Sequence, residues 1–566
     1  MSEDAKVHKR ILSIDPTNSS TNELNYSHAA FEEENDGLLP ISHQDLNEKQ
    51  SKNTLKPASN ASANSKPLPR KDYKAFAVLV ILYLLQGVPV GLAFGSIPFI
   101  LKSKLSYSQV GIFSLASYPY SLKLLWSPIV DAIYSPKWGR RRSWIIPIQT
   151  ISGLTLIYLG LIIDDLLEDP QSHLTTITAC FFLLVFFCAT QDIAVDGWAL
   201  TCLSPEALSY ASTAQTVGIN SGYFSSFTIY LALSSPDFAN KYIRSTPLDT
   251  GLFLMGQYLS FWGWMFLIVT ALLVFIPEDP PHLAKTNAAK LANEKAKVED
   301  YHNTRKNYFN ELKHVYYSMY QVLKLPNVQT FVVILLTAKF GFQVNEAATN
   351  LKLLEKGLSK EDLSITVLIN FPFEMLFGYY AGRWSTGKHP LKPWVIGFAG
   401  RLFAAAWGQI ILLMYPLSGE VGAGYFLLVI LQHLFGSFMS TIQFVSLCAF
   451  HTKIADPAIG GTYMTTLNTL SNYGGTWPRL IIFFLIDKFT SSTCEYSNKL
   501  KSYQIYLESM KEQCKEMGGT VNVWRDGYYY TNVLCILIGI LILLWAKKRT
   551  AYLQSLPSSA WRVKQT

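Results

Sequence analysis

Charge is scarce in this chain. Asp, Glu, Lys and Arg make up 16% of its 566 residues and apolar types 49%, where a soluble protein carries about a quarter charged residues. The little charge there is lies in blocks. Residues 1–74 and 277–325 are polar, and much of the remainder is apolar in runs of about 20 residues, the length that crosses a bilayer. A soluble multidomain protein is excluded, and an integral membrane protein is expected. Other signatures are missing too. MSEDAKVHKRILSIDPTNSS lacks the apolar core of a secretory leader. Residues 1–70, rich in Ser, Asn, Lys and Glu, therefore read as a disordered cytosolic tail, and the first apolar run as an uncleaved anchor. No basic patch alternates with aromatics, so the net charge of +8 points to cytosolic loops and not to a nucleic-acid surface. No CxxC, Cys/His metal spacing or nucleophile motif occurs, and no metal, cofactor or catalytic residue is expected.

What is present is a series of apolar runs that suggests twelve spans: 75–101, 108–130, 144–163, 174–198, 211–233, 251–276, 328–349, 363–382, 393–415, 422–450, 461–487 and 528–546. Several hold Gly, Pro and polar residues, as in QGVPVGLAFGSIPF and TTLNTLSNYGGTWPR. Such helices are tolerated where neighbours or a water-filled cavity satisfy the freed backbone groups, as inside transporters. Lys and Arg bias sets the orientation. Lys137, Arg140, Arg141 and Arg142 follow span 2, Arg383, Lys388 and Lys392 follow span 8, and Lys547, Lys548 and Arg549 follow span 12. Both termini are therefore expected in the cytosol, with the long 488–527 loop on the far side. There Cys494 and Cys514, two of seven cysteines, are candidates for a disulfide.

The charged stretch 277–327 divides the spans six and six. Two six-helix halves joined by a central cytosolic loop are the layout of the major facilitator fold. The expected architecture is an all-α polytopic protein: tail 1–70, first half 71–276, central loop 277–327, second half 328–550 and cytosolic tail 551–566.

Charged side chains inside spans need a partner or a function. Lys123 lies in span 2 and Asp131 closes it; Lys339 and Glu346 lie in span 7, Glu374 in span 8, His433 in span 10 and Arg479 in span 11. In the major facilitator layout spans 1, 4, 7, 10 and 2, 5, 8, 11 surround the central cavity, while 3, 6, 9 and 12 are peripheral. Lys123, Lys339 and Arg479 together suit an anion, above all phosphate. Against this stands neutralisation, for example of Lys339 by Glu346 or Glu374. Glu346, Glu374 and His433 are the candidates for proton linkage, with a packing role the plainer reading of His433. Gln86, Asn472 and Tyr223, on spans 1, 11 and 5, suit a nucleotide base and ribose, or else serve as interhelical glue.

The run CATQDIAVDGWALT places Asp192 and Asp196 one helical turn apart at the cytosolic end of span 4. The basic loop WGRRRSW emerges on the same side. A charge pair from Asp192 or Asp196 to Arg140 or Arg141, beside Asp131, would latch that face as a gate. No histidine or third carboxylate is near enough in sequence for a metal.

Long stretches resemble the acetyl-coenzyme A transporter family of the major facilitator superfamily. They are LLQGVPVGLAFGSIPFILKSKLSYSQVGIFSLASYPYSLKLLWSPIVDAIYSPKWGRRRSWIIPIQ, ATQDIAVDGWALTCLSPEALSYASTAQTVG, FWGWMFLIVT, KFGFQVNEAATNLKLLEKG and YMTTLNTLSNYGGTWP. QDIAVDGWAL alone is similar to bacterial muropeptide permeases as well. The resemblance implies a non-enzymatic carrier in the endoplasmic reticulum membrane that moves acetyl-CoA from cytosol to lumen, with the lipid bilayer and a small anionic substrate as its partners. Another solute, such as a muropeptide-like conjugate or a nucleotide-linked metabolite, is the alternative. A membrane-bound acetyltransferase would need His451 and Cys448, which make a weak pair.

Overall fold

A computed structural model describes residues 69–563, apart from 136–137, 205–206, 208–209, 277–300, 386–388, 417–420, 456–459, 496–501, 506–509, 511–512 and 515. The N-terminal tail, residues 1–68, thus lies outside the described residues.

Each expected span lies on helix. Among the described residues eight helices are long and apolar enough to cross a membrane, and they correspond to spans 1, 3, 4, 6, 7, 9, 10 and 12. Spans 2, 5, 8 and 11 are not among these eight; breaks are not confined to them, since spans 1 and 7 also carry a π-turn and a 3-10 turn. Span 2 runs in pieces from Tyr107 to Ala132, broken by 3-10 turns at Ser114–Ser117 and Lys123–Leu125. Span 5 (Tyr210–Ser234) carries a π-turn at Ser225–Ile229. Span 8 (Lys360–Ser385) and span 11 (Gly460–Phe489) hold Pro372 and Pro478. A helix that faces a cavity can carry such breaks, because the freed backbone groups are not left in lipid.

Packing repeats between the halves. Span 1 packs on 5, 2 on 4 and 3 on 6; six spans later, 7 packs on 11, 8 on 10 and 9 on 12. Spans 2 and 11 meet across the middle, and so do 5 and 8, the contact a two-fold operation would generate from it. Glycines set the closest approaches, as expected where packing and not hydrophobicity joins helices. A Cβ on Gly87 of span 1 would fall on the Ile219 carbonyl oxygen and lie 3.0 Å from the Gly222 Cα of span 5.

Three features depart from the expected outline. The 488–527 loop is not all loop, and the chain not all helix. β1 (Ser491–Glu495) pairs antiparallel with both β2 (Ser502–Ile505) and β3 (Thr520–Arg525). The β-branched alternation TVNVWR suits a strand, and a sheet with open edges is tolerated once outside the bilayer. Cys494 of β1 is joined to Cys514 in a disulfide, both buried. We call this the sheet end of the bundle. At the opposite, tail end, residues expected as central loop form the helix Tyr301–Lys324, whose Tyr316 hydroxyl donates to the Leu125 carbonyl at 2.5 Å. Finally, the C-terminal segment docks. Trp561 is buried against Phe331 of span 7 and Phe450 of span 10.

Candidate substrate cavity

Two adjoining cavities fill the centre. One, of about 530 Å³, is lined entirely by the second half; the other, of about 460 Å³, lies between the halves. Both are bordered by Glu346, Asn350, Asn370 and His433, so the two cavities share a wall.

Local structure places its charges. Lys339 sits in a 3-10 turn, Ala338–Phe342, that interrupts span 7. Gly475 of span 11 makes room for it: a Cβ there would lie 3.0 Å from the Lys339 Cδ and 3.2 Å from its Nζ. Arg479 follows Pro478 in span 11 and borders the space between the halves. Among the described residues neither Lys339 nor Arg479 has an ion-pair or hydrogen-bond partner, and the Arg479 Nε is buried without one.

Glu346 does not neutralise Lys339, the pairing considered above. It accepts from Arg401 of span 9, whose Nε lies 2.9 Å from Oε1 and whose Nη2 also contacts that oxygen. Arg401 donates further to Gln443 at 2.5 Å and stands 3.8 Å over the Phe342 ring. Lys339, Arg401 and Arg479 thus bring three positive charges to the cavity against one negative charge, from Glu346, an excess of two among the described residues.

Lys123 does not join them. Its ammonium lies 2.5 Å from Asp192, a fully buried carboxylate, and it lines neither cavity. Within the first half its charge is already matched. The same contact corrects the gate reading of Asp192, whose partner is Lys123 and not Arg140 or Arg141. Asp196 accepts from the Tyr83 hydroxyl at 2.7 Å and from Gln215 at 2.9 Å. The buried Arg141 guanidinium occupies the space that Gly197 leaves by having no side chain, so the basic loop does reach the end of span 4. That contact lies inside the first half. Arg140 stands 6.0 Å from the centre of the Tyr134 ring. The side chains of Asp131 and Glu374 lie outside the described residues.

Of the polar candidates, Tyr223 borders the cavity between the halves. Gln86 is buried in span 1, away from both cavities, with neither amide atom paired among the described residues. Asn472 is exposed and borders neither cavity. His433 borders both. His451 is engaged with Asn468 at 2.6 Å. Sequence reasoning missed Arg401, although a single arginine in the apolar run GFAGRLFAAAW was a signal, because the major facilitator layout puts span 9 at the periphery. It also missed the aromatic wall that the first half contributes, Phe94, Phe99, Phe224 and Phe227 beside Tyr223.

Two six-helix halves related by a repeated packing pattern, closing on a polar space, define a membrane transporter of the major facilitator fold. Solved structures agree on that fold. The inward-open xylose transporter XylE of E. coli superposes with a TM-score of 0.50 at 13% identity, over 83% of this chain and 95% of that one. A bacterial homolog of the human lysosomal transporter Spinster superposes with a TM-score of 0.50 at 12% identity, over 87% and 98%. The family profile described as acetyl-coenzyme A transporter 1 matches residues 75–392 and 387–563. The chain belongs to that family. An uncharacterized membrane protein of Saccharomyces cerevisiae is 46% identical over 88% of this chain and 98% of its own length. An uncharacterized protein of Schizosaccharomyces pombe is 42% identical over 85% and 87%. It follows that the chain is an integral membrane carrier and not an enzyme.

Proposed function

We propose that this protein carries acetyl-CoA from the cytosol into the lumen of the endoplasmic reticulum by alternating access, in exchange for CoA. The observation that carries the reading is the pair Lys339 and Arg479: two cations without an ion-pair partner among the described residues, Lys339 bordering one cavity and Arg479 the adjoining one, whose first-half wall is aromatic. An ammonium and a guanidinium without carboxylate partners suit phosphate oxygens, and aromatic faces suit a nucleotide base. Family membership supports the substrate. The disulfide in the sheet supports a lumenal sheet end, since disulfides persist in oxidising compartments, and the Arg-rich loop at the other end supports cytosolic termini.

The test is uptake of labelled acetyl-CoA by purified protein in liposomes. Accumulation above empty liposomes is expected, competed by CoA and not by simple sugars. Lys339→Ala and Arg479→Ala should each raise KM about tenfold, the loss of one charge-assisted contact. Uptake of a different solute by the same preparation, with none of acetyl-CoA, would refute the reading. Unchanged KM in both variants would move the anion site elsewhere.

A further inference from the structure

At the sheet end, charged and polar groups from the two halves meet where none was expected. Span 1 (Arg70–Lys102) ends on Lys102, and span 2 begins at Tyr107 and Ser108. Facing them are Glu355, the last residue of span 7, and Asp487 near the end of span 11. The Asp487 carboxylate accepts from the backbone N–H of Tyr107 at 3.0 Å, from that of Ser108 at 2.6 Å and from the Ser108 hydroxyl at 2.5 Å. An anion from one half thus holds the first free N–H groups of a helix in the other, where the helix dipole favours it. Glu355 accepts from the Tyr107 hydroxyl at 2.9 Å and lies 3.8 Å from the Lys102 ammonium. Lys352, one turn earlier on span 7, bridges Glu355 at 2.9 Å and Asp526 at 2.5 Å. Asp526 follows β3 directly, so this bridge ties the disulfide-bonded sheet to the same cluster.

Two ammoniums, Lys102 and Lys352, both nearly buried, pair with the carboxylates Glu355 and Asp526, while the third carboxylate, Asp487, is met by N–H and hydroxyl donors. Just inside the cluster Phe483 stacks on Tyr107 and packs on Gly111. The next residue inward that borders the central cavity is Val110. Contacts from Lys102, Tyr107 and Ser108 to Glu355 and Asp487 all cross from one half to the other, so one half cannot rock away from the other at this end while they persist.

We propose that this cluster is the gate on the sheet side. Asp487 and Glu355 are the bolts, and Lys352 with Asp526 holds Glu355 in register. The role does not depend on which solute is carried.

The test uses the full chain in sealed vesicles and a membrane-impermeant maleimide added on the sheet side. Ser114→Cys reports access to the cavity, and Val523→Cys, on the exposed sheet, reports access to the outside surface. Asp487→Asn and Glu355→Gln should each raise the labelling rate at Ser114→Cys about tenfold, the population shift expected from losing one charge-assisted contact. Labelling at Val523→Cys should not change. Tyr107→Phe, which removes one hydroxyl and keeps the ring, should act in the same direction by less and guards against misfolding of the charge variants. Unchanged labelling at Ser114→Cys in all three variants would overturn the proposal. A parallel rise at both reporters would do so too, since it would mean general loosening.

Discussion

Arg401 and Glu346 hold each other inside the second half, and each is expensive alone. Arg401 is nearly buried while Glu346 is one-third exposed to the cavity. Removing one partner of a buried pair strands the other, and the cost is reduced where water reaches it. Glu346→Gln should therefore destabilise the protein by about 2–3 kcal/mol, read as a lower Tm in detergent. Adding Arg401→Met should recover part of that loss, because no unpaired charge remains. The candidate site was partly legible at this scale. A charge in an apolar run is rare enough to mark Lys339 and Arg479 from sequence alone. Pairing was not legible, because it depends on helix rotation: Glu346 turns to Arg401 on span 9, and Asp192 turns to Lys123 on span 2.

Helices were the most legible objects, since a run of apolar residues has few other uses. Their irregularities were not. Span 1 carries a π-turn at Leu92–Ser96 that packs on the π-turn of span 5, and the Ser96 hydroxyl donates to the Ser226 carbonyl at 2.5 Å. A π-turn has no fixed residue signature, because it arises from the fit between neighbours. The crossing of spans 1 and 5 makes a test at this scale. Gly87→Leu would push a side chain into the Ile219 backbone, which cannot yield as a side-chain tip can. Loss of folded protein by size-exclusion chromatography is expected, whereas Gly424→Leu, with nothing within 4 Å, should be tolerated. The sheet in the 488–527 loop escaped detection because its strands are short and lie among lysines.

For the molecule as a whole, the six-and-six division was readable because charge is so concentrated in the central connection. How the empty protein behaves was not, because that depends on the net charge enclosed. With an excess of two positive charges among the described residues, closing the cavity without an anion means burying unmatched cations, which is far costlier than closing it loaded. Liposomes preloaded with CoA should therefore take up labelled acetyl-CoA about tenfold faster than unloaded ones, measured as initial rates. Equal rates would show that the empty form returns freely. The pair between spans 7 and 9 also bears on how the chain is made. An arginine at the centre of a helix adds about 2.5–3.5 kcal/mol to insertion by the translocon. Glu346 precedes Arg401 by 55 residues, so the carboxylate is synthesised before the arginine it pairs with. In the folded protein that insertion cost is offset inside the second half itself, by a carboxylate one hydrogen bond away on a neighbouring span.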